Sequence, residues 1–229
     1  MSPRKGLDLP VILQTAAAIA DDAGFDAVTV AAIAERLGVR PPSLYNHVSG
    51  LADLQKKLAV YGLERLLEAL TDAVVGRSGD DAIRSMGGAY LGFARRHRGL
   101  YEATIRAMDM RDPAVQRSAD AIVGLVARVL GFYGLHRDEA IHAVRGLRSI
   151  LHGFASLERN GQFGLPLEAD TSFQILLDIF LAGLNARIAR EKPDRAETGV
   201  LSSQAKDGSQ AEHPLTHQRD MIYHHINLF

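Results

Sequence analysis

Two successive prolines, Pro41 and Pro42, stand three residues after Gly38, so one continuous helix cannot run through Arg40. A proline disfavours the helical conformation in the residue before it, so Pro42 holds Pro41 extended and Pro41 does the same to Arg40. Upstream, Val30, Ile33, Ala34 and Leu37 recur at helical spacing and form one apolar stripe of about two turns. Thr29 stands where a helix is capped, Gly38 where positive φ ends one, and Val39 is placed to plug the corner. The pattern predicts a second short helix from Pro42 to Val48, with Leu44 and Val48 facing the first. Arg40, Ser43, Tyr45, Asn46 and His47 are then left at its outer side.

Helix, tight glycine turn, helix is the unit that sets its second helix in the major groove of DNA. A plain helical hairpin has the same outline, but its idle outer face would carry Lys, Glu and Ala. Here that face offers groups that donate to phosphates and base edges.

The run Gly24 to Leu54 resembles the N-terminal DNA-binding domain of the tetracycline-repressor family of bacterial regulators. The shared features are Gly24-Phe25, Thr29, Ile33-Ala34, Gly38-Val39, Leu44-Tyr45, His47 and Val48. The sequence departs from the family at Val48, where Phe is usual, and at Leu51, where a phosphate-binding Lys is usual; Lys56 or Lys57 could take over that contact. The resemblance implies that Thr29, Tyr45 and His47 hold phosphates. The expected DNA-contacting set is Lys5, Thr29, Arg40, Pro42, Ser43, Tyr45, Asn46 and His47, with Arg40 and Asn46 as the candidates for base edges.

Charge permits a small specific reader and argues against nonspecific coating of nucleic acid, because the net charge is only −1. Within residues 1–60 the acids gather at the end of the first helix, while the bases sit on the N-terminal arm, around the turn and at Lys56 and Lys57. The absence of cysteine removes disulfides, thiolate metal sites and a cysteine nucleophile, and fits a cytoplasmic protein. No uninterrupted apolar run of membrane-spanning length and no signal peptide are read.

Beyond the turn, periodicity predicts helices over about 51–75, 80–98, 100–108, 112–133, 137–159 and 171–190, and no segment alternates with period two. The expected fold is all-α: an N-terminal three-helix helix-turn-helix domain (1–50), a larger helical ligand-binding and dimerisation domain (51–191), and a C-terminal tail (192–229). The two last helices are apolar over more than half their circumference, which suggests a second contact beyond the protomer's own core. Leu147, Leu151, Phe173, Leu177, Phe180 and Leu184 are the expected homodimer residues.

This half resembles the branch of the same family whose C-terminal domain is named for a Trp-His-Gly signature, through Arg145, Arg148, Leu151-His152-Gly153-Phe154, Leu157-Glu158, Gly161 and Phe163-Gly164. Leu151 stands in place of the Trp. A pocket for a small, mostly apolar effector is expected from Tyr90, Phe93, Tyr101, Met108, Arg148, His152 and Phe154, with Gly87, Gly88 and Gly92 leaving space on one helix.

Other chemistry has weak support. Glu139 and His142 have metal-ligand spacing but no second motif completes a site, and no Gly-x-Ser-x-Gly turn or phosphate loop is present. Neither metal, cofactor nor catalytic residue is expected. The function expected is that of a DNA-binding regulator, more often a repressor, that meets a double-stranded operator as a homodimer and answers to a small molecule, without membrane attachment. A helical protein-interaction module would explain the second half equally well but leaves the polar outer face of the turn unexplained.

Overall fold

The computed structural model describes residues 7–200, with side chains through Ala189. The described residues contain helices and 3-10 turns and no strand, so the fold is all-α. The helices are α1 Leu9–Ala23, α2 Val30–Leu37, α3 Leu51–Val74, α4 Gly79–Arg96, α5 Arg98–Arg106, α6 Pro113–Leu130, α7 Arg137–Arg159 and α8 Ala169–Val200. The described residues divide into two compact units, one holding the chain up to residue 73 with 88–122, the other 74–87 with the chain from 123 onward.

Local chemistry accounts for most helix ends. Asp8 caps α1 by accepting from the Val11 amide at 2.9 Å, with Pro10 in the first turn. Asp112 caps α6 through the Ala114 amide at 2.8 Å. Between α4 and α5 the chain breaks at His97, so Gly99 belongs to α5 instead of preceding it.

In the first unit, Ile12, Ala16 and Ile19 of α1, Phe25, Ile33, Leu44, Val48, and Leu54, Leu58 and Leu63 of α3 form the core. Ala23, in the last turn of α1, is exposed. In the second unit α7 and α8 pack together, burying Val144, Leu147, Leu151 and Phe154 against Phe173, Leu177, Leu181 and Leu184. Gly146 allows this approach, since a Cβ there would lie 3.3 Å from the Phe180 ring.

Two expectations need correction here. Leu147, Leu151, Phe173, Leu177 and Leu184 are spent on the protomer's own core, and only Phe180 of the expected dimer set keeps intermediate exposure. Periodicity identified two apolar helices but could not say which part of each broad face turns inward. In addition, α8 does not stop near Arg190: the helix runs on through Pro193 to Val200. The remainder of the expected tail, 201–229, lies outside the described residues. By length and composition Ala169–Ala189 is apolar enough to cross a membrane, although it carries Asp170, Asp178 and Arg187.

Candidate nucleic-acid interface

Thr29 is extended and its hydroxyl oxygen accepts from the Ala32 amide at 3.0 Å, satisfying a free N–H at the start of α2. The same hydroxyl keeps its proton for an outside acceptor such as a phosphate. Gly38 is left-handed at φ 65°, and the Val39 amide returns to the Ala34 carbonyl at 2.9 Å. A side chain here would strain the turn that reverses the chain between the two short segments.

Arg40 is extended, as a residue before proline must be. The segment that follows is not the expected α-helix from Pro42 to Val48 but a 3-10 helix, Pro41–Asn46. The reason is the proline pair. Neither residue has an N–H to donate, so the first bond is the tight Ser43 amide to Arg40 carbonyl at 2.9 Å, and the segment ends before a full α-helical register is established. Leu44 and Val48 are buried as expected.

Around them the polar set is presented outward. Arg40, Pro42, Tyr45 and Asn46 are exposed, Tyr45 by 57%, while Thr29, Ser43 and His47 are partly covered. Tyr45 is a large aromatic side chain exposed among polar and charged neighbours on this face. Lys5, the expected arm contact, lies outside the described residues.

The lysines expected to replace the family's phosphate contact have internal work. Lys57 donates to the His47 carbonyl at 2.8 Å and to Asp53 at 2.7 Å, and Asp53 accepts from the Ser49 amide at 2.9 Å. This bracket clamps the end of the 3-10 segment onto the first turn of α3. Burial disfavours the Asp53 carboxylate, but Lys57 and the Ser49 amide outweigh it and hold its pKa below the ordinary value. Lys56 pairs with Asp112 at 2.8 Å. That hydrogen bond raises the lysine pKa and lowers the carboxylate's.

A feature that the sequence barely signals fastens this reader to α5. Asp21, near the end of α1, accepts from the Gly99 and Leu100 amides, both at 2.9 Å, and meets His97 Nδ1 at 3.1 Å. It therefore caps a helix that lies 78 residues further along the chain. Arg106, in the last turn of α5, reaches Asp26 and Glu102 and lies 5.1 Å over the Phe25 ring. Only the clustering of acids near the end of α1 hinted at this.

The expected effector residues divide between the two units. In the first, the Tyr90 and Tyr101 hydroxyls are 3.1 Å apart, Phe93 is buried and Met108 half-buried. In the second, Phe154 packs between Phe163 and Phe173 at 4.8 and 4.9 Å, and Arg148 and His152 are half-buried. Burial lowers the His152 pKa, helped by Arg148 and Arg159. The glycines do not leave the expected void. A Cβ on Gly87 would stand 2.8 Å from Leu177, Gly88 opens to solvent, and Gly92 faces the Arg96 guanidinium. Glu139 is held by Arg187 at 2.6 and 2.9 Å, and no cluster of three metal-ligating side chains occurs among the described residues.

Comparison with known proteins agrees along most of the chain. Residues 12–53 match the family model described as bacterial regulatory proteins, tetR family, and residues 83–180 match that of the tetracyclin repressor-like C-terminal domain. The chain is 41% identical over 185 residues to YobS of Bacillus subtilis (strain 168), described as an uncharacterized HTH-type transcriptional regulator, covering 80% of this chain and 96% of that one. Among solved structures, a protein of unknown function from Rhodococcus sp. RHA1 is similar with a TM-score of 0.69 at 23% identity, over 80% of this chain and 98% of that one. The Streptomyces coelicolor TetR-family protein ActR in complex with (S)-DNPA is similar with a TM-score of 0.59 at 22% identity, over 81% and 99%.

Proposed function

Because the chain belongs to the tetR family of bacterial regulatory proteins, and is thus a DNA-binding transcriptional regulator and not an enzyme, we propose that it represses by holding a palindromic operator as a homodimer. In this reading Thr29, Tyr45 and His47 hold phosphates, Lys5 reaches DNA from the arm, Arg40 and Asn46 face the bases, and Pro42 and Ser43 complete the contact. The observation that carries it is the exposed set from Arg40 to His47, fixed from behind by buried Leu44 and Val48 and by the Lys57 bracket. So short a segment makes few contacts, which a symmetric pair on two half-sites doubles.

The functional division proposed is a reading head over 1–50, a helical effector-binding and dimerisation domain over 51–191 and a tail over 192–229. Within the C-terminal domain matched over 83–180, the branch proposed is the one with the Trp-His-Gly-type domain, on the His152-Gly153 pair of the sequence. A small, mostly apolar effector with one or two polar groups is the ligand proposed for Tyr90, Phe93, Tyr101, Met108, Arg148, His152 and Phe154. The similarity to ActR, a protein that binds (S)-DNPA, supports a small molecule of this kind. Such a ligand releases DNA only if it binds the two forms of the protein unequally. A cytoplasmic location is proposed too: the apolar length of α8 is explained by its buried residues on one side and a partner protomer on the other.

The test is a gel-shift titration with the DNA upstream of the protein's own gene, against an equal length of scrambled sequence. A complex that survives excess scrambled DNA is expected. Equal binding to both sequences would overturn the proposal.

A further inference from the structure

The 3-10 segment Pro41–Asn46 gives way at His47, where φ is −118°. The last carbonyls of a helix have no donor inside it. The His47 carbonyl finds one ten residues along the chain, in the Lys57 ammonium at 2.8 Å. The same ammonium donates at 2.7 Å to Asp53 Oδ2, and that one oxygen also accepts from the Ser49 amide at 2.9 Å. A carbonyl and an amide of the link between the reading segment and α3 are thus tied to a single ion pair on α3. Gly50, at φ 139°, adds no stiffness to that link.

Resting on the operator reading above, we propose that Lys57 and Asp53 are positioning residues for sequence recognition: neither touches DNA, and together they fix the end of the segment from which Asn46 and His47 reach it. A lysine on a reading head ordinarily neutralises a phosphate, and an acid there repels one. Here two of the three ammonium donors are already turned to protein acceptors. The side chains of Lys57 and Asp53 are only 33% and 20% exposed.

The segment needs such a support. It is six residues long, begins with two prolines and makes few bonds of its own, so its far end takes its position from what holds it. Charge-assisted bonds are the strong kind, and groups that read a ligand must be held to within about 0.5 Å. The consequence is a reversal of sign: an acid on the DNA-reading head favours specific binding.

The test uses the full chain in gel-shift titrations at several salt concentrations, with DNA from upstream of its own gene and scrambled DNA of equal length. Lys57→Met keeps the apolar stem and removes the donor. Lys56→Met makes the same change of charge one residue earlier, where the partner is Asp112 and not the bracket. Asp53→Ala removes the acid, and melting curves report the folding of each variant. Lys57→Met is expected to lose about tenfold of the preference for the upstream DNA, the discrimination of one well-read base. Lys56→Met should weaken both DNAs alike and keep the preference. Asp53→Ala should lose preference as Lys57→Met does, although it makes the head more positive. For scrambled DNA the slope of log affinity against log salt should stay that of the wild type in Lys57→Met, whereas a lost phosphate contact would lower it by about 0.9. With the wild-type preference present, its retention by either Lys57→Met or Asp53→Ala, or that drop in slope, would overturn this inference and leave the operator reading intact. If Lys57→Met does not fold, the sign of the Asp53→Ala effect decides. A wild type that binds both DNAs equally would overturn the operator reading and this inference together.

Discussion

Gly99, in the first turn of α5, and Ala20, in the last turns of α1, touch backbone to backbone: a Cβ on Gly99 would lie 1.9 Å from the Ala20 carbonyl oxygen. The obstacle is main chain and cannot rotate aside, so any side chain at 99 must push the two helices apart. Gly99→Ala is expected to cost about 3 kcal/mol, at the upper end of the range for overpacking. Urea unfolding measures it; a loss under 1 kcal/mol would mean that α1 and α5 separate freely.

Asp21 fastens the same junction by polar means, and its removal should be felt at α5 instead of α1. Asp21→Ala strips the acceptor from the Gly99 and Leu100 amides and is expected to cost ~1 to 2 kcal/mol, the usual loss for a helix cap. Asp21→Asn, which keeps an acceptor oxygen, should recover most of it. Hydrogen exchange at the amides of 99 and 100 localises the effect, and unchanged protection in Asp21→Ala would refute it.

At the DNA face the two kinds of contact should separate experimentally. Tyr45→Phe is expected to weaken operator and scrambled DNA by a similar factor, since a phosphate contact carries no sequence information. Asn46→Ala should instead relax preference at one base position by ~1 to 3 kcal/mol. Titrations against single-base operator variants check both, and unchanged binding by both proteins would reject this docking.

What could be read in advance followed the range of the interaction. The limits of α2 were legible because Thr29 and Gly38 act within a turn of the helix they bound. The conformation of Pro41–Asn46 was not, since the spacing of Leu44 and Val48 suits an α-helix while hydrogen bonding after two prolines decides for the tighter one. The polar outer set was visible from composition, whereas the Asp21 cap on α5 depends on tertiary packing and left no local pattern. In α7 and α8 abundant apolar residues concealed the choice of inner face. Phe173 and Ile179 read alike in the sequence, and only the packed hairpin separates the buried one from the exposed one.

His152 gives the second unit a pH dependence with a definite sign. Burial, with Arg148 and Arg159 adding to it, lowers its pKa in the folded protein below the ordinary histidine value. The unfolded chain therefore binds the proton more readily, and stability rises with pH in this window. The contribution is complete above the unfolded value and is lost as pH falls through the folded one. His152→Gln should flatten this part of the curve. Melting temperatures of both proteins across the acidic side of neutrality provide the check, and parallel curves would assign the dependence to other groups.

Adjacent glycines in α4 should respond in opposite directions to the same substitution. At Gly88 a Cβ meets nothing within 4 Å and the residue is exposed, so alanine only removes backbone freedom from the unfolded chain and improves helix propensity. Gly88→Ala is expected to stabilise by ~0.5 to 1 kcal/mol. At Gly87 the same Cβ would stand 2.8 Å from Leu177, 3.4 Å from Phe173 and 3.5 Å from Leu151, all buried. Leu177 has a flexible end, but with no exposed surface it has no open side to move toward, so the propensity gain is outweighed and Gly87→Ala should destabilise by about 1 kcal/mol. Paired urea titrations decide the matter. If Gly87→Ala proves as stabilising as Gly88→Ala, Leu177 has repacked at little cost, and the contact between α4 and α8 at this point is looser than its distances imply.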